Sequence, residues 1–338
     1  MNIVQNDIDI RNQIFNFNDD DFEKWAIQIF HFQYTNNEIY RQYCQAIKIL
    51  PEKVGSLDKI PFLPIQFFKT KKIMSGDFDP AVIFESSGTT GSINSKHHVK
   101  DKYLYEESFL KAFKLFYGNV AGLSIIGLLP SYLERQHSSL VYMVNELINQ
   151  SNHPSSGFYL YDTEKLYHTL LANEKNKQPT LLIGVTYALL DFAEKYSIKL
   201  QYTTIMETGG MKGRREELTR AEVHTQLKQH FELAEIHSEY GMTELLSQAY
   251  SKGNGIFNCP PWMKIVLRAE DDPFDIRLTN NIQGKFASGA VNIIDLANLY
   301  SCSFIATDDA GKLYKDGRFE IIGRLDNSDV RGCGLMIL

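Results

Sequence analysis

"AVIFESSGTTGSINSK", Ala81 to Lys96, sets a short apolar run directly before a string of hydroxyls and glycines. From Ser86 to Gly91 every residue is a serine, a threonine or a glycine, a composition with nothing to offer a core. Glycines let the backbone turn so that several N–H groups converge, and hydroxyls add donors; that concavity suits a phosphate chain. The plain alternative for such a string taken alone is a solvated turn. No Lys-Ser/Thr pair follows the second glycine where a Walker A loop requires it. The position after an apolar strand and before a further polar run favours phosphate.

Outward from this string, short apolar runs alternate with longer amphipathic ones. Strand-like runs are "LSIIGLLP" (Leu123 to Pro130), "TLLIGV" (Thr180 to Val185), "TTIMETGG" (Thr203 to Gly210) and "AEIHSEYGMTE" (Ala234 to Glu244). Between them lie the helix-like "SLVYMVNELI" (Ser139 to Ile148), "YALLDFAEKY" (Tyr187 to Tyr196) and "RREELTRAEVHTQLKQHF" (Arg214 to Phe231). This alternation predicts an α/β fold with a mostly parallel sheet covered by helices. Near the N-terminus, "NDDD" can cap a helix start, and Phe22 to Ile49 carries the spacing of one or two helices. After Cys259 the runs shorten and are broken by turns, which predicts a smaller antiparallel region. The expected division is 1–258, with N-terminal helices and layered α/β structure, and 259–338, β-rich.

The chain has 338 residues, is 43% hydrophobic and carries a net charge of −6. That length suffices for a large core, and the charge argues against nucleic acid as a main partner despite the local "KTKK" (Lys69 to Lys72) and "KGRR" (Lys212 to Arg215). The longest apolar run, "AGLSIIGLLP", is ten residues, half of the ~20 that a spanning helix needs, and no secretory leader is visible. A cytoplasmic protein without a membrane span is the default expectation. Cys44, Cys259, Cys302 and Cys333 are too widely spaced to encode a disulfide framework or a zinc site.

"ESSGTTG", "ETGG" and "SEYGMTE" are all polar, glycine-bearing segments that follow apolar strand-like runs. In an open parallel sheet such loops face one crevice, so a composite site is expected from them. Here the residues resemble a known family. "SSGTTG" resembles the phosphate loop of the adenylate-forming (acyl-AMP synthetase) superfamily, "ETGGM" its adenine-pocket turn and "YGMTE" its Tyr-Gly-x-Thr-Glu motif. "TDDAGKLYKDG" resembles its Thr-Gly-Asp segment and "GRLDNSDVRG" its hinge, all in the family's order. "PFLPIQFFK", "FESSGTTG", "LPSYLERQHSSLVYMV" and the terminal "RGCGLMIL" are most similar to the LuxE type of acyl-protein synthetase.

The resemblance implies ATP and Mg²⁺ as cofactors and a set of residue roles. Ser86, Ser87, Gly88, Thr89, Thr90 and Gly91 would wrap the β- and γ-phosphates. Gly209 and Gly210 would admit the flat adenine, with Tyr240 and Gly241 beside it. Thr243 would hydrogen-bond the α-phosphate and Glu244 would be the Mg²⁺ carboxylate. Asp309 would accept the ribose hydroxyls, with Asp308 as the competing candidate because it replaces the family's glycine. Arg324 would lie near ribose and phosphate, and Asp326 would be the hinge. His137 would line the acyl pocket; an exposed helix-start histidine is the competing reading. Lys96 stands near the family's Pro-Lys-Gly, which "SINSKHH" replaces. His97 and His98 are expected as surface residues.

The sequence ends just past the hinge motif, where full-size relatives continue into a lid domain that supplies a lysine; the expectation is that this lid is absent. In the LuxE type the acyl group passes to a cysteine of the protein itself and then to a partner reductase. Cys333, between two glycines and near Arg331, matches that acceptor; a small buried residue is the plain alternative. The reaction implied is ATP-dependent activation of a carboxylic acid, a fatty acid on the LuxE resemblance, to an acyl-adenylate with release of pyrophosphate, then transfer to a thiol. Transfer to coenzyme A, an amine or a carrier protein, and a non-catalytic nucleotide-binding homologue, are the alternatives.

Overall fold

Ser124–Leu128 and Thr180–Gly184 are buried along their whole length, as strands covered on both faces must be. They belong to a computed structural model that describes residues 7–16, 21–87, 93–130, 134–209 and 218–325. Contacts group the chain into two units. One comprises Phe109–Met242 and Gln248–Phe257; the other comprises Met1–Ser108, Thr243–Ser247 and Asn258–Leu338.

In the α/β unit the strands lie in the order Ala249–Ser251, His237–Tyr240, Thr203–Glu207, Thr180–Gly184, Ser124–Leu128, Gly157–Phe158. All neighbours are parallel except the pair of His237–Tyr240 with Ala249–Ser251. The α/β alternation and mostly parallel sheet expected from the sequence are therefore present. Its helices start where the local chemistry says they should. Ser138 caps Ser139–Ser151 by accepting from the Val141 N–H, and Asp162 caps Thr163–Lys175. Thr219 and Glu222 form a reciprocal capping box at Arg220–Phe231.

In the other unit an antiparallel sheet runs in the order Ile276–Arg277, Met263–Arg268, Phe286–Asp295, Phe304–Tyr314, Phe319–Arg324. Leu63–Pro64 adds to Phe304–Tyr314 in parallel. The N-terminal segment forms two helices, Phe22–Asn36 and Glu38–Ala46, because Asn37 ends one and caps the next by accepting from the Tyr40 N–H. They are pinned to the segment before Phe304–Tyr314 by buried amides. Gln33 donates to the carbonyls of Asn298 and Leu299 and accepts from the Ser303 N–H, and Asn37 donates to the Ser301 carbonyl. Phe30, Tyr40 and Phe62 surround Phe304 with edge-on or stacked rings.

One expectation is corrected here. The apolar run before "SSGTTG" is not a strand of the parallel sheet. Val82–Glu85 pairs antiparallel with Lys96–Val99 in a separate two-stranded hairpin. The burial pattern shows the difference. The parallel strands Ser124–Leu128 and Thr180–Gly184 are buried at every residue, whereas Val82–Glu85 buries only Phe84 fully, against Tyr105. The hydroxyl-rich string is thus carried between the two legs of a hairpin.

Candidate functional site

The hairpin is closed at its open end by serines. The Ser86 N–H donates to the Ser95 carbonyl at 3.0 Å, and the Ser95 N–H donates to Ser86 Oγ at 2.9 Å. These bonds bring the two ends of the 87–94 segment together. The Ser95 hydroxyl also hydrogen-bonds the carboxylate of Glu244, which is 5% exposed. Burial pushes the Glu244 carboxyl above its ordinary range; the Ser95 bond and the charges of Arg324 and Lys69 pull the other way. A carboxylate so placed gains from any cation brought to it. Lys96 is committed across the hairpin to Glu85 at 3.3 Å. Ser87 is exposed; Gly88, Thr89, Thr90 and Gly91 lie outside the described residues.

Thr243 and Glu244 sit in a stretch with no regular structure, so neither helix nor ladder satisfies their backbone. Side chains do so instead. His97 Nδ1 donates to the Thr243 carbonyl at 2.8 Å, and Asn298 Nδ2 donates to the carbonyls of Glu244 at 2.7 Å and Cys302 at 2.9 Å. Asp295 accepts the N–H groups of Leu246 and Ser247 at 2.8 and 3.0 Å and the Ser247 hydroxyl at 2.6 Å. Burial raises the Asp295 carboxyl to about 6 in spite of these donors. The expected surface position of His97 is wrong. The ring is 1% exposed, because Lys96–Val99 alternates and turns His97 and Val99 inward. His98 is half-buried.

Asp309 and Arg324 face each other in the register of Phe304–Tyr314 with Phe319–Arg324, with Arg324 Nε 3.7 Å from Asp309 Oδ1. Arg324 is largely exposed and its charge reaches Glu244. Adjacent residues of a strand point to opposite faces. Asp308 accordingly turns elsewhere and accepts from Gln66 Nε2.

In the α/β unit, Glu207 closes the strand Thr203–Glu207 and is 3% exposed. Its carboxylate accepts the Gly209 N–H at 2.7 Å and pairs with Arg220 Nε at 3.2 Å. Gly209 has φ +72, a conformation that a side chain would strain, and its carbonyl accepts from the Thr186 N–H. Burial opposes the charge on Glu207, but His224, the Arg220 guanidinium, Ser238 and the Gly209 N–H hold the carboxyl down at about 2. Two residues before Gly241 lies Glu239, buried and pushed up to about 8 by burial and by the negative charge of Glu207. A Cβ at Gly241 would run into the Glu239 carboxyl, so a larger residue there would have to push that side chain aside. Tyr240 is buried with its ring 5.9 Å from that of Phe257. His137 is exposed just before the helix cap Ser138. Gly210, Asp326, Arg331 and Cys333 lie outside the described residues.

Glu239 carries a stability consequence. Between its ordinary value near 4.5 and about 8, the folded chain holds a proton that the unfolded chain releases, so stability falls as pH rises through that window. A Glu239→Gln variant melts several degrees higher than wild type at pH 9 and within about one degree of it at pH 4.5, as thermal melts at the two pH values will show.

Ser95, Glu207, Glu239, Asp295 and Asn298 were not among the residues singled out in sequence, and His97 was singled out only as a surface residue. A signal existed for three: Glu207 and Asp295 each end an apolar strand with a carboxylate, and Glu239 interrupts one. Asn298 and Ser95 carry no local signal at all.

Among the described residues no helix is long and apolar enough to cross a membrane. Residues 11–118 match the family described as "Acyl-protein synthetase, LuxE". The chain is 25% identical over 339 residues to a "Long-chain-fatty-acid--luciferin-component ligase" of Aliivibrio fischeri, covering 93% of this chain and 86% of the relative. It is 24% identical to the ligase of the same name from Vibrio harveyi, covering 90% and 84%. In solved structures its fold is similar to that of 2-hydroxyisobutyryl-CoA ligase. The open form with 2-HIB-AMP and CoA gives a TM-score of 0.65 at 12% identity, over 95% of this chain and 79% of that one. The postadenylation form with 2-HIB-AMP gives 0.66 at 11% identity, over 95% and 72%. The chain is thus similar to the LuxE acyl-protein synthetase family in its N-terminal third and to two bacterial ligases along nine-tenths of its length, and it shares the fold of 2-hydroxyisobutyryl-CoA ligase.

Proposed function

We propose that the chain activates a carboxylic acid with ATP, forming an acyl-adenylate and pyrophosphate, and then passes the acyl group to a thiol. The observation that carries this reading is the hairpin whose serine-closed loop is hydrogen-bonded through Ser95 to the buried carboxylate of Glu244. A hairpin end that brings Ser86 and Ser95 together next to a desolvated carboxylate matches what a polyphosphate and its counter-ion require. The names of the two bacterial ligases support a long-chain fatty acid as the acid.

One protein carboxylate, with phosphate and water oxygens completing the shell, is the usual setting of Mg²⁺. Glu244, a single buried carboxylate whose charged form is costly without a counter-charge, fits that setting. When bound, Mg²⁺ supplies charge neutralisation at the phosphate oxygens. The protein's part is to place groups. Ser86, Ser87 and the following Gly88 to Gly91 donate to the terminal phosphates, the Thr243 hydroxyl to the α-phosphate, and Asp309 accepts from the ribose with Arg324 beside it. The turn at Gly209, and Gly210 after it, take a flat base, with Tyr240 and Gly241 as further base contacts; His137 is assigned to the acid. A carboxylate oxygen attacks the α-phosphorus, the bond to the β-phosphate oxygen breaks, and pyrophosphate leaves; positioning and electrostatics carry the rate. A thiolate, assigned to Cys333, then attacks the acyl carbon and AMP departs. A partner reductase or carrier protein would accept the acyl group in turn.

Acid-dependent exchange of labelled pyrophosphate into ATP tests the first half. Exchange that requires a fatty acid is the expected result, and its absence across a broad panel of acids overturns the proposal. Intact-mass analysis with ATP, Mg²⁺ and the acid tests the second: an acyl adduct on wild type that is lost in Cys333→Ser is expected. An unaltered acylation rate in that variant would assign the acceptor role to coenzyme A, an amine or another protein.

A further inference from the structure

We infer that His97 and Asn298 are positioning residues for Thr243 and Glu244, an assignment that rests on the function proposed above. The segment 243–247 has no helix or sheet to define it, yet four of its backbone groups are taken up by three buried side chains from distant parts of the chain. His97 holds the Thr243 carbonyl and Asn298 the Glu244 carbonyl, so both peptide planes on which the two functional side chains are mounted are fixed from outside. Asp295 secures the segment just beyond, through the N–H groups of Leu246 and Ser247.

The clamp is itself braced. The Asn298 amide cannot turn over without losing both of its carbonyl acceptors, while its Oδ1, 3.0 Å from His97 Nε2, receives no proton from the neutral ring. Nδ1 gives its proton to Thr243, and only a second ring proton would turn the Asn298 contact into a hydrogen bond. The backbone carbonyl of Asn298 is anchored by Gln33, and the His97 and Phe68 rings form a T-shaped pair at 6.0 Å between centroids. His97 also belongs to the same strand, Lys96–Val99, that leaves the serine-closed loop at Ser95. One rigid element therefore sets both the exit of the phosphate loop and the carbonyl beneath Thr243. A shift of about 1 Å in groups that act on a reacting centre can cost ~10²-fold in rate, so loosening this clamp is expected to act on turnover.

The test compares two substitutions of similar volume at one position. Asparagine can offer an N–H near the site of His97 Nδ1; leucine cannot. In acid-dependent ATP–pyrophosphate exchange by the full chain, His97→Leu should lower kcat by about 30-fold with the KM for ATP changed by less than about 3-fold, and His97→Asn should recover most of the loss. In the nucleotide-free protein, amide hydrogen exchange of residues 243–247 should speed up at least about tenfold in His97→Leu and stay near wild type in His97→Asn. If the leucine variant does not fold, Asn298→Ala is expected to give the same loss of kcat and of protection. Equal loss of kcat in the leucine and asparagine variants, or full kcat in a variant whose segment exchanges fast, overturns the inference while leaving the adenylation reading in place. A wild-type chain that shows no acid-dependent exchange at all overturns both.

Discussion

Glu244→Gln lowers acid-dependent ATP–pyrophosphate exchange by about 10²-fold or more, close to 3 kcal/mol of lost transition-state stabilisation, and leaves the melting temperature unchanged or higher. The two halves of this expectation have one cause. Glu244 is buried, and burial raises its carboxyl above the ordinary range, so the folded protein bears a cost for the ionised form. A neutral amide of the same shape relieves that cost and can still accept from Ser95. What it cannot do is provide a full negative charge to a counter-ion on the polyphosphate. Steady-state exchange and a thermal melt on the same preparation check both parts. A variant that loses activity together with several degrees of stability would make Glu244 a packing residue and remove it from the chemistry.

Glu207→Ala acts in the opposite way, on the fold first. Its carboxylate gathers the Gly209 N–H, Arg220 and His224 in an almost dry setting. Removing one member of such a buried set leaves the others uncompensated, typically at about 3–5 kcal/mol, which corresponds to a fall of roughly 10 °C in melting temperature for a unit of this size. Glu207→Gln should lose less, since an amide oxygen still accepts from Gly209. The pH dependence has a definite sign. The folded carboxyl sits at about 2, below its ordinary value near 4.5, so its contribution is complete above about 4.5 and is lost as pH falls toward 2. Denaturant titrations of wild type and Glu207→Gln at pH 7 and pH 3 should therefore differ more at pH 7. A constant difference would assign the stabilisation to shape alone.

These two carboxylates differ in how much of their role the sequence discloses. Glu244 ends "YGMTE", and the string itself marks it out. Glu207 precedes "TGG" at the end of an apolar strand, and only the structure shows that it ties down the turn those glycines make. The same contrast holds across the fold. The buried strands Ser124–Leu128 and Thr180–Gly184 were legible because a strand covered on both faces must be apolar throughout, a property of consecutive residues. Asn37, Ser138, Asp162 and Thr219 cap helices through bonds that reach three residues along the chain, so their effect is also local.

The hairpin of Val82–Glu85 with Lys96–Val99 escaped because an apolar run of four residues has the same appearance in a parallel strand and in a hairpin leg. What decided it was pairing across the polar loop. His97 looked like one of two surface histidines for a related reason: its neighbour is similar, and only the pleat distinguishes the residue turned inward from the one beside it.

By itself, then, the sequence determined the alternation of strands and helices from Ser124 to Tyr240 and the order of the glycine- and hydroxyl-bearing strings that point to a nucleotide. These depend on periodicity and on near neighbours. Tertiary structure alone decided that Gln33 secures Asn298, that Asn298 and His97 hold Glu244 and Thr243, and that Ser95 reaches the Glu244 carboxylate. Each of those bonds joins residues more than fifty positions apart. Their partners are set by which buried backbone groups are left unpaired once helices and sheets have formed, a quantity that exists only in the folded chain.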